Sequence, residues 1–403
     1  MKSLAALVCI LVAGSVFAQA PDAPVPAKGQ TPVTRDNAAF AMDLYGKLRD
    51  GQGNLACSPH SISVALAMTY AGARGETAAE MRKALRFELA DKDLFAGFAE
   101  ANRRLNEMQR GGKVRLSLVN SLWPQQKYQF LPDYLSLLEQ SFGAVATPLD
   151  YAGGPEKARA TINEWVEAKT EKRITELIPP RVIDELTRLV LVNAIHFKAD
   201  WDKKFDKAAT RDASFHVAPG QEVTVPMMNL ETDGGYGEFD RVQVLWLPYA
   251  GREIGMTIIL PKDKDGLADV EASLTVEKLR EWTQPIPKLR KVRVSLPRFK
   301  ATSDFRLDSA LQSLGIRDAF SMTADFSGMD GQKWLCIGAV LHKAFVEVNE
   351  EGSEAAAATA VEMRLKSAPA RLPVFNADHP FLFLIRDNPS GSILFIGRMA
   401  NPG

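Results

Sequence analysis

Apolar residues in the first part of the chain recur at the three- to four-residue spacing of amphipathic helices. The first such run places Phe40, Leu44 and Leu48 on one side, and Gly51 then supplies a stop signal. The same spacing predicts five further helices, over Ile62–Ala73, Thr77–Leu85, Leu94–Gln109, Pro132–Phe142 and Lys157–Thr170. The chain up to about residue 188 is therefore predicted to be mainly helical.

Beyond residue 188 the apolar spacing shifts toward two, which is typical of strands. The predicted strands cover Leu189–Phe197, Val223–Met228, Val242–Leu247, Ile254–Leu260 and Val292–Leu296, with two more around the turn 387–391 within Phe381–Arg398. Helices come mainly first and strands mainly later, and neither a linker nor a repeat follows residue 34. We therefore predict an α+β fold with one domain over residues 35–403.

The first 34 residues differ in composition from the rest of the chain. Lys2, the apolar run Leu4–Val16 and the small residues Ala18 and Ala20 predict a signal peptide over residues 1–20, cleaved after Ala20. The run is too short to span a bilayer, which makes a retained membrane anchor the weaker interpretation. Residues 21–34 are rich in proline and predict a flexible linker. We expect a secreted protein, periplasmic if the source is Gram-negative, and the absence of an N-x-S/T sequon favours a bacterial one.

Charge and motifs exclude several functions. The 49 basic and 49 acidic residues cancel, and no long block of one sign occurs, so a nucleic-acid partner is not expected. No later apolar run approaches 18 residues, so no membrane partner is expected either. The chain lacks HExxH, GxSxG, GxGxxG, P-loop and CxxC motifs, and its five histidines are scattered. We therefore expect no enzyme, metal or cofactor, although a Ser-His-Asp triad assembled by the fold remains an alternative.

Two cysteines remain after Cys9 leaves with the signal peptide. Two cysteines in so long a chain do not make a disulfide scaffold. We expect Cys57 and Cys336 to be buried free thiols, with a disulfide between them as the alternative.

The segment 349–366, NEEGSEAAAATAVEMRLK, supports two conflicting predictions. Its alanine run, the possible cap at Ser353 and the basic end predict a helix. Read with a period of two, however, every charge from Ser353 to Arg364 falls on one face. The other face is uncharged, as a strand inserted over a core requires.

The neighbours of this segment resolve the conflict, because from about residue 35 onward the chain resembles the serpin family. The resemblance rests on stretches in the family's order: NLACSPHSI (Asn54–Ile62), GARGETAAEM (Gly72–Met81), INEWVEAKT (Ile162–Thr170), LVLVNAIHFKADW (Leu189–Trp201), VPMM (Val225–Met228), LPYAG (Leu247–Gly251), LPRF (Leu296–Phe299), FSGM (Phe326–Met329), LHKAFVEVNEEGSEAAAATA (Leu341–Ala360) and FNADHPFLFLIRD with GSILFIGRMANP (Phe375–Pro402). The resemblance implies a serpin fold with three β-sheets, eight or nine helices and an exposed reactive-centre loop at about residues 350–374.

The family resemblance also implies a mechanism. A protease cleaves the loop and forms an acyl-enzyme, and the cleaved loop then inserts as an extra strand into the large sheet and traps the protease. Fast insertion requires a hinge with small side chains. The resemblance assigns the hinge to Glu350, Gly352, Ser353, Glu354, Ala355, Ala356, Ala357, Ala358 and Thr359. We therefore expect an inhibitory member that acts as a monomer.

The bond offered to the protease follows from the family's spacing. Glu350 stands seventeen residues before the cut, counting itself, which makes Lys366–Ser367 the reactive bond. A lysine favours trypsin-like serine proteases as the covalent partner, because their specificity pocket is acidic. Arg364 and Arg371 are alternative bait residues, and a count shorter by one selects Leu365 and chymotrypsin-like targets. A non-inhibitory serpin and an inhibitor of cysteine proteases are the remaining alternatives.

Two polar clusters are implied by the resemblance as gates for insertion. The first, called the shutter, lies under the middle of the large sheet and comprises Ser58, Ser61, Asn193 and His342. The second, called the breach, lies at the top of that sheet and comprises Trp201, Arg298 and Glu350. Ordinary satisfaction of buried polar groups is the alternative role for each.

Overall fold

The structure is a computed structural model that describes residues 31–51, 53–110, 114–283, 289–352 and 372–403. The predicted signal peptide and most of the predicted linker lie outside the described residues. Within the described part of the chain, no helix is long and apolar enough to cross a membrane.

Ten α-helices are described. They are α1 (Pro32–Leu48), α2 (Pro59–Gly72), α3 (Gly75–Ala84), α4 (Asp91–Arg110), α5 (Pro132–Phe142), α6 (Pro155–Lys169), α7 (Leu267–Ala272), α8 (Val276–Thr283), α9 (Asp308–Ser313) and α10 (Ser327–Asp330). The six predicted helices correspond to α1–α6. The residues that favour the start of each helix lie at or next to its first turn. In α1 the Thr31 hydroxyl accepts from the Thr34 backbone N–H, and Pro32 occupies the first turn. The helix thus begins at Pro32, two residues before the predicted end of the linker at residue 34.

Fourteen strands are described. They are β1 (Leu55–Cys57), β2 (Val114–Pro124), β3 (Val145–Ala146), β4 (Leu189–Ala199), β5 (Arg211–Ala218), β6 (Gln221–Glu238), β7 (Val242–Pro248), β8 (Ile254–Pro261), β9 (Leu289–Pro297), β10 (Phe299–Arg306), β11 (Leu341–Val348), β12 (Val374–Asn376), β13 (Phe381–Asp387) and β14 (Ile393–Met399). All the predicted strands are present. The structure adds strands that the pattern did not indicate, above all β2, β10 and β11.

The strands form three hydrogen-bonded sheets, and the α+β class with three sheets is confirmed. The largest has nine strands in the order β1-β14-β13-β8-β7-β6-β9-β12, with β5 paired to β6. The second has the order β3-β2-β4, and the third pairs β10 with β11. The 18-residue strand β6 pairs with β5 over residues 221–227, with β9 over residues 227–235 and with β7 over residues 235–238.

The central core fills the space between the sheets. Ile195, Phe197 and Ala199 of β4 belong to one buried cluster with Val346 and Val348 of β11. The two strands therefore lie side by side over the same core, although they belong to different sheets. We call the line of contact between β4 and β11 the seam.

The two cysteines differ from the prediction in one respect. Both are free thiols in the structure, and Cys57 is buried in β1. Cys336, however, is exposed in the irregular segment before β11, so the expectation of two buried thiols is wrong for this residue.

Candidate functional site

Gly352 lies at the top of the seam and is the last described residue before the segment 353–371. Its φ of +133° is in a region that side chains rarely adopt. A Cβ atom here would overlap the carbonyl oxygen of Ala199 and lie 2.7 Å from the Cα of Asp200. Glycine is therefore required at this position by both the backbone conformation and the close approach of β4.

Backbone hydrogen bonds fasten the end of β11 to the end of β4. Asn349 and Gly352 exchange two bonds of 2.9 and 3.2 Å, which close a tight turn. The Trp201 N–H donates to the carbonyl of Glu351 at 2.8 Å, and the Phe205 N–H donates to that of Glu350 at 2.9 Å. The point from which the segment 353–371 departs is thus held in one position.

The three predicted breach residues lie together at this turn. The Arg298 guanidinium donates to Oε1 of Glu350, and the Thr210 hydroxyl donates to the same oxygen at 2.7 Å. Burial alone raises the pKa of the Glu350 carboxyl, but the bonds from Arg298 and Thr210 outweigh it and hold the pKa below its ordinary value. Glu350 is therefore a buried, ionised anchor.

Trp201 contributes through both its indole and its backbone. The indole Nε1–H donates to the carbonyl of Asn349 at 2.9 Å, and the ring stacks on Tyr249 with centroids 4.4 Å apart. The side chain is buried against the core at this end of the seam. Trp201 thereby connects the turn to the central core.

Glu351 is a site residue that the sequence analysis did not single out. Its carboxylate is buried and forms ion pairs with Lys204 at 2.9 Å and Lys207 at 2.8 Å. The bonds from Lys207 and Lys204 hold the pKa of Glu351 below its ordinary value. These lysines lie about 150 positions away in sequence, so nothing along the chain indicated the pairing.

Some of the predicted shutter residues are in contact with one another. Ser58 caps α2, because its hydroxyl accepts from the Ser61 N–H at 3.2 Å, and its own N–H donates to Nε2 of His342 at 3.0 Å. Burial lowers the pKa of His342 to about 4, so the imidazole is neutral and able to accept at neutral pH. Asn193 lies in β4 opposite Asn120 of β2, but its side chain lies outside the described residues.

The segment after α6, residues 171–175, crosses the seam, and we call it the clasp. Lys343 of β11 donates to the carbonyl of Thr175 at 3.0 Å, and Arg173 lies 3.6 Å from Glu347. On the other side of the seam, Glu171 lies 3.8 Å from Lys198 of β4. These contacts could not be predicted from the sequence, because they join residues far apart in the chain.

The reactive segment itself lies outside the described residues. This applies to Ser353, Glu354, Ala355, Ala356, Ala357, Ala358 and Thr359 of the hinge, to Lys366 and Ser367, and to Arg364, Leu365 and Arg371. Its two ends are described. The chain leaves from Gly352 at the seam, and β12 pairs in parallel with β9 at the edge of the nine-stranded sheet.

No group of three or more His, Cys, Asp or Glu residues among those that the structure describes is arranged to hold a metal ion.

Comparison with known proteins identifies the chain's relatives. The family model described as Serpin (serine protease inhibitor) matches residues 35–402. Leukocyte elastase inhibitor of Bos taurus is 45% identical over 376 residues, covering 91% of this chain and 98% of that protein. The Homo sapiens protein of the same name is 43% identical over 378 residues, with the same coverage. Among solved structures, uncleaved ovalbumin has a TM-score of 0.83 at 30% identity and covers 92% of this chain and 100% of its own. Serpin48 of Tenebrio molitor has a TM-score of 0.81 at 30% identity, covering 92% and 98%.

Proposed function

This chain belongs to the serpin (serine protease inhibitor) family, and from that premise we propose that it inhibits trypsin-like serine proteases irreversibly by cleavage at Lys366–Ser367. The protease serine attacks the carbonyl carbon of Lys366, and the Lys366–Ser367 amide bond breaks. The serine proton passes through the protease histidine to the amine of Ser367, which leaves. The acyl-enzyme ester at Lys366 then remains intact, because the cleaved loop inserts into the seam.

The observation that carries this proposal is the seam with Gly352 fixed at its top. What supports the proposal is that the chain leaves Gly352 at the end of β11, directly beside the end of β4. The residues from Ser353 to Arg364 would extend roughly 40 Å as a strand, and the 11 residues of β4 extend about 36 Å. The proposed inserted strand therefore matches the length of the strand beside it.

The energetics support insertion as an irreversible step. On the order of ten new ladder bonds contribute roughly 5–15 kcal/mol, at about 0.5–1.5 kcal/mol each. That is comparable to the whole unfolding free energy of an ordinary domain. The uncleaved fold is then held by kinetics, short of its most stable state. The small residues Ala355 to Ala358 in the hinge favour an insertion faster than hydrolysis of the ester.

A second candidate differs in the protease that is trapped. The two relatives from Bos taurus and Homo sapiens reported above are named leukocyte elastase inhibitors. A cut one residue earlier, after Leu365, would present an apolar residue to an elastase-like or chymotrypsin-like protease. The two candidates share the insertion mechanism and differ only in the bond that the protease cleaves.

The test mixes the purified chain with trypsin, chymotrypsin and elastase in turn and examines each mixture on a denaturing gel. We expect a covalent band with trypsin near the sum of the two masses, and a released fragment whose N-terminus is Ser367. A fragment that begins at Lys366 supports the second candidate. Cleavage without a covalent band contradicts both and indicates a non-inhibitory relative.

The substitution Lys366→Glu tests the bait residue directly. An acidic side chain cannot enter an acidic specificity pocket, so we expect no covalent complex with trypsin. Lys366→Arg is the matched control and should retain complex formation. A complex that still forms with Lys366→Glu would indicate that the protease cleaves after Arg364 or Arg371 instead.

Export is a separate part of the proposal. We propose that the signal peptide is removed after Ala20 and that the mature protein acts outside the producing cell, or in the periplasm of a bacterium. What supports this is the order of Lys2, the apolar run and the small residues at 18 and 20. Intact mass measurement of the protein recovered from the growth medium or periplasm should give a chain that begins at Pro21.

A further inference from the structure

The turn that ends at Gly352 is bridged to both strands that border the seam. Gly352 forms an antiparallel bridge with Asn349, directly after β11, and another with Asp200, directly after β4. An antiparallel strand continued from Gly352 in this register would oppose Ala199 of β4 and Val348 of β11. This turn is therefore the point at which the insertion proposed above would begin.

Glu351 provides side-chain contacts that hold this turn. Its carboxylate is only 7% exposed, and its two oxygens bind different lysines. Oε2 lies 2.9 Å from Nζ of Lys204, and Oε1 lies 2.8 Å from Nζ of Lys207. We call Glu351, Lys204 and Lys207 the Glu351 cluster. Both lysines belong to the connection between β4 and β5, so the cluster fastens the turn beside the end of β4.

The backbone of Glu351 is fastened at the same place. Its N–H donates to Oδ1 of Asn349 at 3.0 Å, and its carbonyl accepts from the Trp201 N–H at 2.8 Å. Side chain and backbone thus restrain one residue from two directions. Without the two lysines the buried carboxylate would lose its compensating charges, and it would regain hydration only by moving toward water. We expect the turn to lose its fixed orientation when the carboxylate moves.

The orientation of the turn matters because, in the proposed inhibition, insertion competes with hydrolysis of the acyl-enzyme. A turn that is already fixed has little backbone entropy left to lose at the first step of insertion. A mobile turn must be ordered before the first ladder bond can form. A fixed turn therefore favours insertion over hydrolysis.

We propose that Glu351 is a positioning residue that, through Lys204 and Lys207, holds the turn in the orientation from which insertion begins. The role in insertion rests on the proposed inhibition, whereas the role in holding the turn does not. None of the three residues belongs to the breach, so the Glu351 cluster is a second and separate support of the turn.

The first test needs no protease. Glu351→Gln keeps the shape of the side chain and removes its charge. The Trp201 amide, which donates to the Glu351 carbonyl, should then exchange its hydrogen about fivefold faster, as measured by mass spectrometry of the full mature chain. The matched control is Glu231→Gln, because Glu231 also lies between two cations, Lys291 at 3.5 Å and Arg293 at 3.7 Å. Unchanged exchange at Trp201 in Glu351→Gln contradicts the role of the cluster, whatever the parent chain does to trypsin.

The second test measures how many chains trypsin cleaves and releases for each chain that traps it. This ratio should rise about fivefold in Glu351→Gln and in Lys207→Met, and it should stay unchanged in Glu231→Gln. Lys207 is 61% exposed, so its variants should fold even if Glu351→Gln does not. Lys207→Arg keeps the charge and should behave as the parent chain does. In the Glu351→Gln background, Lys207→Met should add nothing, because both residues act through one contact.

Two results would overturn the proposal. An unchanged or lower ratio in both single variants would show that the cluster does not assist insertion. A parent chain that traps neither trypsin nor elastase contradicts the proposed inhibition, and with it the role in insertion. The exchange at Trp201 then still decides whether the cluster holds the turn.

Discussion

The seam and the block of strands β8, β13 and β14 are both central to the molecule, but they are held together differently. Every residue of these three strands is buried, and β13 pairs along its length with both β8 and β14. At the seam, β4 and β11 belong to different sheets and are joined by a turn at one end and by side chains elsewhere. The block is held by continuous ladder bonds, whereas the seam is held by one turn and by side-chain contacts, and it is the seam that we propose to open.

The difference has an energetic cause. Ladder bonds in a buried block cannot exchange with water, so separating them leaves several polar groups unpaired. The clasp pairs are partly exposed, since the Arg173 side chain is 31% exposed and that of Glu347 is 16% exposed. Such pairs typically contribute only about 0–1 kcal/mol each, and water replaces them readily. The proposed insertion at the seam therefore has to break only such weak contacts, whereas insertion into the block would have to break ladder bonds.

The largest expected effect comes from Gly352→Ala at the top of the seam. The new Cβ would overlap the end of β4 in addition to straining the backbone at φ +133°. Gly315→Ala is the matched control, because Gly315 has φ +110° with open space around its Cβ position. The control should lose about 1–3 kcal/mol of unfolding free energy from strain alone.

Gly352→Ala should lose a further 2 kcal/mol or so from the overlap, as measured by urea unfolding. Equal losses in the two variants would mean that the contact between Gly352 and β4 has no energetic role.

The next effect concerns the strand that we propose to insert. Thr359→Pro removes one ladder donor and fixes φ, which should cost the inserted state about 3 kcal/mol or more. Insertion should then lose the competition with hydrolysis, so the variant is cleaved by trypsin and released. Thr359→Val keeps the N–H and the branched shape and serves as the control. The number of inhibitor molecules consumed per protease trapped measures the effect, and an unchanged number in Thr359→Pro contradicts insertion past this residue.

The third effect is a loss of unfolding free energy in acid, caused by His342 of the shutter. Burial lowers the folded-state pKa of His342 from about 6.5 to about 4, so the unfolded chain binds the proton more readily. The stabilisation is complete above about pH 6.5 and is lost as the pH falls toward 4, by about 3 kcal/mol. His60 has the same shift.

The variant His342→Gln separates the two histidines. Glutamine can still accept from Ser58 but does not titrate, so this variant should lose about half as much unfolding free energy between pH 7 and pH 4.5. A loss equal to that of the parent chain would remove His342 as a source of acid sensitivity.

The smallest expected effect is at the clasp. Arg173→Ala removes the contact with Glu347 and the packing of the guanidinium over Phe345, at a cost of about 1 kcal/mol or less. The same change should speed complex formation with trypsin, because the clasp must leave the seam before a strand enters. Arg103→Ala, on the exposed surface of α4, is the control and should leave the rate unchanged. A slower or unchanged rate for Arg173→Ala would show that the clasp does not limit insertion.

Much of the fold could be predicted from the sequence, because its signals are local. Helix α5 begins at Pro132 and ends before Gly143 with φ +63°, and its bounds match the predicted Pro132–Phe142. Strands β7, β8, β13 and β14 are continuous apolar runs between turns and were also predicted. Strand β11 was not, because both of its faces are covered. His342, Ala344, Val346 and Val348 face the core, while Phe345 is covered by Arg173. Each face therefore carries both apolar and polar residues, so the sequence lacks the apolar–polar alternation by which strands are predicted.

The sequence by itself determined the family, the small-residue hinge and the lysine that we propose as bait, because these are properties of short stretches. Only the tertiary structure decided which carboxylates are anchored and that β4 and β11 lie side by side although they belong to different sheets. The pairs Glu351 with Lys204, Arg173 with Glu347 and Ser58 with His342 join segments far apart in the chain. Their energies depend on burial and distance in space, and these exist only once the sheets have assembled.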